Sequence, residues 1–286
     1  MLDSRYFSVN NTVLLTSGVK YKLTHVIPGD KDVHAVTSLG DDVFVVRYHS
    51  QQVEVYSAGT FTLQRHIMVP GLKLSYGLAA CAKHQCLYVS DYQHDSVHRA
   101  ELPGSQAVKQ WSVASDPRGL SVNKAHNVVV VCLEANKIQE YTTHGALVRE
   151  ISLEQACVTN LWQAVQLSTG DYVVSEFKSP GAVSVVGVDG QLVRRYHPSK
   201  TSDVGQMNYP TSLAVTKNDA ILVADTDNNR ILLINSSLSS AREVALPVDG
   251  RIQRPRGLCL DESRARLYVG ERAGDCRVLV FDGVRL

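Results

Sequence analysis

The chain has 286 residues, 44% of them hydrophobic, with Lys+Arg 29 against Asp+Glu 28. That apolar content can fill a large core, and the near-balanced charge excludes a surface built throughout for polyanions while leaving a local basic face open. No apolar run approaches the roughly 20 residues that cross a bilayer, so no membrane contact is expected.

In chain order, the first segment carries Asp3 beside Arg5 and only a short apolar stretch at Val13–Leu15. It lacks the basic and apolar regions of a secretion signal, and a cytoplasmic location is expected. The six cysteines form no CxxC pair and are expected as free thiols. Tyr21–Ile27 reads as a lone alternating strand.

From there one unit recurs six times. Its marker is a short apolar strand ending in a polar residue: Phe44–Arg47, Tyr88–Asp91, Val129–Cys132, Val173–Glu176, Leu222–Asp225 and Tyr268–Glu271. Successive copies begin 44, 41, 44, 49 and 46 residues apart, a spacing that belongs to propeller blades. Upstream of the marker a turn opens another strand, as in Ser75–Leu78, Asp116–Leu120, Tyr209–Leu213 and Arg254–Leu258. Proline suits the start of a strand, and glycine lets crowded inner strands approach closely. Downstream come an alternating strand, such as Val53–Tyr56 or Ile231–Ile234, and a more polar fourth, such as Leu63–Met68, Leu147–Ile151 or Leu192–Tyr196. Four strands repeated six times predict an all-β, six-bladed β-propeller filling residues 1–286 as one domain. The last copy ends at Leu286 after its third strand, so Tyr21–Ile27 is expected to supply the fourth and close the ring.

The segment Val204–Val215, followed by Ile221–Asp225 and Asn228–Ile231, resembles the NHL repeat. Blades two and six carry looser versions at Tyr88–Asp91 and Tyr268–Glu271. The whole is similar to the C-terminal NHL domain of tripartite-motif (TRIM-NHL) proteins. That resemblance implies a non-catalytic platform for RNA or protein. Other propellers of this look are metal-dependent hydrolases or lyases.

The chain contains no G-x-S-x-G, HExxH, GxGxxG or P-loop string. Where the inner strands enter the central channel stand His34, Tyr76, Arg118, Trp162, Thr211 and Arg256, a poor cage for a hard cation. No catalytic activity, metal or cofactor is therefore expected, and His34 is expected to be structural. Asp91, Glu176, Asp225 and Glu271, which end the second strands, are expected to tie down the following loops, with Asp225 paired to Arg230.

The remaining candidate is one face of the disc. Its loops hold the bases Lys31, Arg47, Lys73, Arg118, Lys137, Lys178, Arg230, Arg254, Arg256 and Arg272, and the aromatics Tyr48, Tyr76, Tyr92, Trp162, Phe177 and Tyr209. Cations interleaved with flat rings suit single-stranded RNA, and Arg118 and Arg256 are placed opposite each other to receive a ligand's charge. The same mixture suits a protein partner. The acids Asp32, Asp91, Asp95, Asp116, Glu134, Glu176, Asp225, Asp227 and Glu271 in those loops reduce the positive field. The expected ligand set is Arg47, Tyr48, Lys73, Tyr76, Tyr92, Arg118, Trp162, Phe177, Tyr209, Arg256 and Arg272. The domain is expected to be monomeric and able to form part of a larger chain.

Overall fold

The computed structural model describes residues 21–103, 108–196, 204–248 and 251–286. The segment before Tyr21, read above as carrying no leader, lies outside the described residues. The strands form six four-stranded sheets, every pairing antiparallel. The first strands of the blades are Val33–Leu39, Leu78–Cys81, Pro117–Val122, Leu161–Gln166, Pro210–Val215 and Pro255–Asp261. Each contacts the first strand of the next blade, and Pro255–Asp261 returns to Val33–Leu39. The six-bladed, all-β propeller predicted above is the fold.

The sixth blade joins the two ends of the described chain. Lys22–Ile27 pairs with Val278–Asp282, from Lys22 opposite Asp282 to Ile27 opposite Val278. This is the expected closure, and it removes an edge that would otherwise present unpaired N–H and C=O groups.

Why these residues form strands follows from burial. The second strands, such as Val128–Cys132 and Ile221–Asp225, are buried throughout because neighbouring blades cover both faces. They are correspondingly continuous runs of Val, Ile and Leu. Fourth strands such as Leu147–Ser152 lie on the rim and are mostly exposed. The cores lie between blades: Val173, Val183 and Val185 of blade four pack with Leu213, Ile221 and Val223 of blade five. Serine and threonine hydroxyls add seams near the channel. Ser90 donates to the carbonyl of Arg118 at 3.0 Å, Ser175 to that of Thr211 at 2.6 Å, and Thr226 to that of Pro255 at 2.8 Å.

The terminal acids of the second strands do what was expected of them. Asp91 is fully buried and accepts from the backbone of Lys73 and from His94 Nδ1. Glu176 binds the Ser184 hydroxyl and Arg195, and Glu271 accepts two bonds from Arg277. Asp225 Oδ2 and Arg230 Nε are 2.7 Å apart. All six cysteines are free thiols, Cys81 lying opposite Cys86 across their hairpin.

Candidate binding site at the channel mouth

Two concentric rings of residues form the candidate face, and backbone geometry builds both. The inner ring is His34, Arg118, Trp162, Thr211 and Arg256, each second in its first strand, with Tyr76 two residues ahead of Leu78–Cys81. In five blades the strand register shifts at this residue; Val33 pairs with Arg47 and Ala35 with Val46, leaving His34 between them. Trp162 and Arg256 are bulged in the same way, and the register also slips across Arg118 and Thr211. A bulge re-aims its side chain, here into the channel mouth.

The outer ring is the residue after each second strand. Its backbone N–H clamps onto a carbonyl at the opening of the first strand: Tyr48 to Asp32 at 2.9 Å, Tyr92 to Leu74 at 3.1 Å, Phe177 to Asn160 at 2.7 Å and Arg272 to Arg254 at 3.1 Å. Each clamp holds one side chain over the inner ring. Asn160, Tyr209 and Arg254 take positive φ at the same turns, and so reverse the chain into the strand.

These placements bring the aromatics into one continuous arc. His34 stacks on Tyr76 with centroids 4.7 Å apart, and Tyr48 lies 5.1 Å from His34. Tyr76 meets Tyr92 and Trp162, each at 5.4 Å. Trp162 meets Phe177 at 4.5 Å, and Phe177 meets Tyr209 at 4.9 Å. Two guanidinium groups lie on this arc. That of Arg118 is 4.3 Å from the Tyr76 centroid and 4.8 Å from that of Tyr92. That of Arg256 is 4.7 Å from Tyr76 and 4.6 Å from Trp162. Together they plug the channel, leaving beneath them a cavity of about 20 Å³ bordered by Ala35, Leu78, Leu120 and Leu258, room for about one water.

The electrostatics differ from the expectation of a basic face, because most cations there are already paired. Arg118 Nη2 donates to Asp116 Oδ2 at 2.8 Å. Arg254 is paired with Asp227, Lys178 with Glu176 and Lys137 with Glu150. Arg272 approaches Asp32 at 3.8 Å, too long for a hydrogen bond. Among the described residues, only Lys31, Lys73 and Arg256 of the ten bases have no carboxylate within ion-pair distance. Lys73 is exposed.

Arg47 stands apart from the rest of the expected ligand set. It is buried, its Nε pairs with Glu54 at 2.8 Å, and its Nη atoms donate to the carbonyls of Lys31, Cys276 and Pro28. It fastens the blade-one loop to blade six, with four of its five N–H donors engaged inside the protein. The sequence carried the signal: Arg47 aligns with Asp91, Glu176, Asp225 and Glu271, so it holds the loop post with the charge reversed.

Arg256 is the opposite case. It is 3% exposed, and its Nε has no hydrogen-bond partner among the described residues. Burial, then the nearby Arg272, lowers its pKa to about 9, while Tyr76 and Asp32 act in the other direction. The two ring faces offset up to about 2 kcal/mol each, against a desolvation cost of several kcal/mol for an unpaired ion. His34 is buried with its Nδ1 2.7 Å from the Ser75 carbonyl, to which it donates. Burial and then Arg256 hold its pKa down to about 3, so it is neutral and structural, as expected.

The donor set suits an anion or a flat group rather than a hard cation, which wants oxygen ligands. Among the described residues no group of three or more His, Cys, Asp or Glu is placed to hold a metal ion.

The NHL repeat model matches residues 207–232, from the turn before the first strand of blade five into its third. No curated protein matches the chain in sequence. Solved structures with the same fold include a streptogramin B lyase structure at 12% identity and a TM-score of 0.67, covering 92% of this chain and 97% of that one. They include the hydrazine synthase of Kuenenia stuttgartiensis, at 14% identity and 0.67, covering 91% and 98%. The WD40 β-propeller domain of Doa1 follows at 12% and 0.62, covering 92% and 97%. At these identities the likeness concerns fold alone. The chain is thus a six-bladed β-propeller carrying an NHL repeat. Among the described residues no helix is long and apolar enough to cross a membrane.

Proposed function

We propose that this propeller is a non-catalytic binding platform that recognises a protein partner through the channel-mouth face. The observation that carries this reading is the pairing of cations with acids on that face, which leaves the aromatic arc as its main uncommitted surface. A surface of Tyr, Phe and Arg with few free charges is what protein hot spots use. The domain would act as the recognition module of a cytoplasmic protein, in the manner of the tripartite-motif NHL propellers it resembles. Its ligand residues would be Tyr48, Lys73, Tyr76, Tyr92, Arg118, Trp162, Phe177, Tyr209, Arg256 and Arg272.

Single-stranded RNA is the second reading, favoured by the stacked rings and by the unpaired Lys31, Lys73 and Arg256. With three such cations, the slope of log affinity against log salt would not exceed about 2, at about 0.7 per phosphate.

The test is a selection of peptides from a displayed random library alongside a randomised single-stranded RNA pool. Peptides should be selected, and Tyr48→Ala with Phe177→Ala should weaken them by roughly 30-fold or more, a hot-spot loss of about 2 kcal/mol. Tight retention of the RNA pool with a slope much steeper than 2, and no peptide selected, would overturn the protein reading.

A further inference from the structure

Within that platform the Arg256 guanidinium has no ion-paired partner among the described residues. The charges facing it come from four blades. Blade six supplies Arg272 and blade three supplies Arg118 with its bound Asp116. Blade one supplies Asp32 and the neutral His34, and blade two contributes the Tyr76 phenol. Three guanidiniums against two carboxylates leave a surplus of one positive charge. Asp32 stands nearest to cancelling it, but it is 3.8 Å from Arg272 and makes no hydrogen bond to either arginine. Among the described residues the side chains of Arg256 and Arg272 therefore keep hydrogen-bond donors unused, Arg256 being buried and Arg272 part-exposed beside it. A guanidinium presents its donors as a planar fork that matches the two oxygens of a carboxylate. Tyr76 and Trp162 lie against the same guanidinium and would flank the group that carries the anion.

We propose that the channel mouth is a receptor for one carboxylate of the bound partner, received by Arg256 with Arg272. The inference rests on the platform reading for the identity of the partner, but the site is defined by this chain's own residues. The carboxylate is either a chain terminus or an acidic side chain, since both present the same pair of oxygens. A single surplus charge selects a monoanion over a phosphate dianion. The plug explains why the receptor is buried: the rings keep water from competing for the guanidinium, which strengthens every charge contact made there.

Trp162 reports on this site directly. The chain has two tryptophans, so Trp111→Phe leaves Trp162 as the sole tryptophan to be excited selectively. Sodium acetate is titrated against sodium chloride at equal ionic strength, followed by Trp162 emission and by melting temperature. Saturable changes with acetate alone are expected. Three neutral-backbone tripeptides then separate the sources. One has a free C-terminus, one is amidated with a central glutamate, and one is amidated with no acid; the last should be silent. Arg256→Met should abolish the response while melting at or above the parent, by roughly 2–6 °C, because an uncompensated buried charge is gone. If Arg256→Met does not fold, Arg256→Lys keeps the charge without the fork and should weaken the response at least tenfold. The proposal is overturned if neither acetate nor either acidic tripeptide gives a saturable response, or if the arginine variants respond like the parent. It is also overturned if dimethyl phosphate responds and acetate does not, which would point to an RNA phosphodiester. A carboxylate response with no peptide selected would leave this site standing and fail the platform reading. Selected peptides that bind Arg256→Met as tightly as the parent would fail this site alone.

Discussion

Arg47 Nε lies 2.8 Å from Glu54 Oε2, seven residues on, and the same two positions touch in three other blades. There the pairs are Asp91 with His98 at 3.7 Å, Cys132 with Gln139 at 3.5 Å, and Glu176 with Ser184 at 2.6 Å. In these four blades the residue closing the second strand meets the third residue of the third strand. Blade one fills that contact with a buried ion pair. Arg47→Ala strips one partner from it and leaves three carbonyls without their donor, so it should cost about 3–5 kcal/mol in chemical denaturation. Ligand binding by the remaining folded fraction should be unchanged. A variant as stable as the parent would show that Arg47 is not the post described here.

His34 gives the fold a pH dependence whose sign follows from its depressed pKa. Held at about 3 in the folded ring against 6.5 in an unfolded chain, it contributes stability that is complete above pH 6.5 and lost as pH falls toward 3. By pH 5 the loss should be about 2 kcal/mol, at 1.36 kcal/mol per unit. His98 is also held below its usual value, chiefly by burial, so the parent should decline more steeply than His34 alone requires. His34→Asn should flatten the unfolding free energy between pH 6.5 and 5 by about one proton's slope. Parallel curves for parent and variant would refute the assignment.

Gly119 follows Arg118 on the inner strand of blade three. A Cβ there would lie 2.5 Å from the Trp162 carbonyl oxygen and 2.8 Å from Gln163 Cα. Both are backbone atoms of the next blade and cannot swing aside. Gly119→Ala should therefore push blades three and four apart, costing roughly 1–3 kcal/mol, and should shift Trp162 emission. Unchanged emission and melting would mean that the inner strands are packed less closely than described.

Removing residues 1–27 takes away the strand that pairs with Val278–Asp282. The third strand of blade six then becomes an open edge, bounded by the wholly buried Leu279 and Phe281. Size-exclusion chromatography should find aggregate or little soluble protein. A monomer melting at the parent's temperature would count against closure by this strand.

The fold was legible because its signals are local and repeated. Phe44–Arg47 and its five counterparts announce a buried strand at a blade-length period, and Tyr21–Ile27 announces the piece missing from the last copy. The paired roles of Asp225 and Arg230 were legible for the same reason, since they stand five residues apart on one hairpin. The site was legible only in part. Tyr76, Arg118, Trp162 and Arg256 were placed at the channel from alignment of the turns, and Asp116 stood visibly beside Arg118. What could not be read was which side chains converge. A one-residue bulge aims His34 and Arg256 inward, yet it leaves no mark on a period-2 pattern. The contacts of Arg256 with Tyr76 and Trp162 cross the ring between distant blades. The burial of Arg47 follows from its position, which aligns with four acids that close second strands, rather than from its charge.

Closure between the first and last described strands also has a consequence in time. Thr24 Oγ1 donates to the Val280 carbonyl across 256 residues of sequence, at 3.3 Å. On a ribosome adding about 5–20 residues per second, Lys22–Ile27 would wait on the order of ten seconds to a minute for its partner to be made. Through that interval the first strand has no place to go, and blade one lacks the neighbour that covers Val33 and Val43. The exposed polar side chains of the waiting segment, Lys22 and His25, stand beside an apolar Val26 that is itself 38% exposed in the finished ring. A strand that must stay unpaired for so long gains from being one of the more polar strands in the disc.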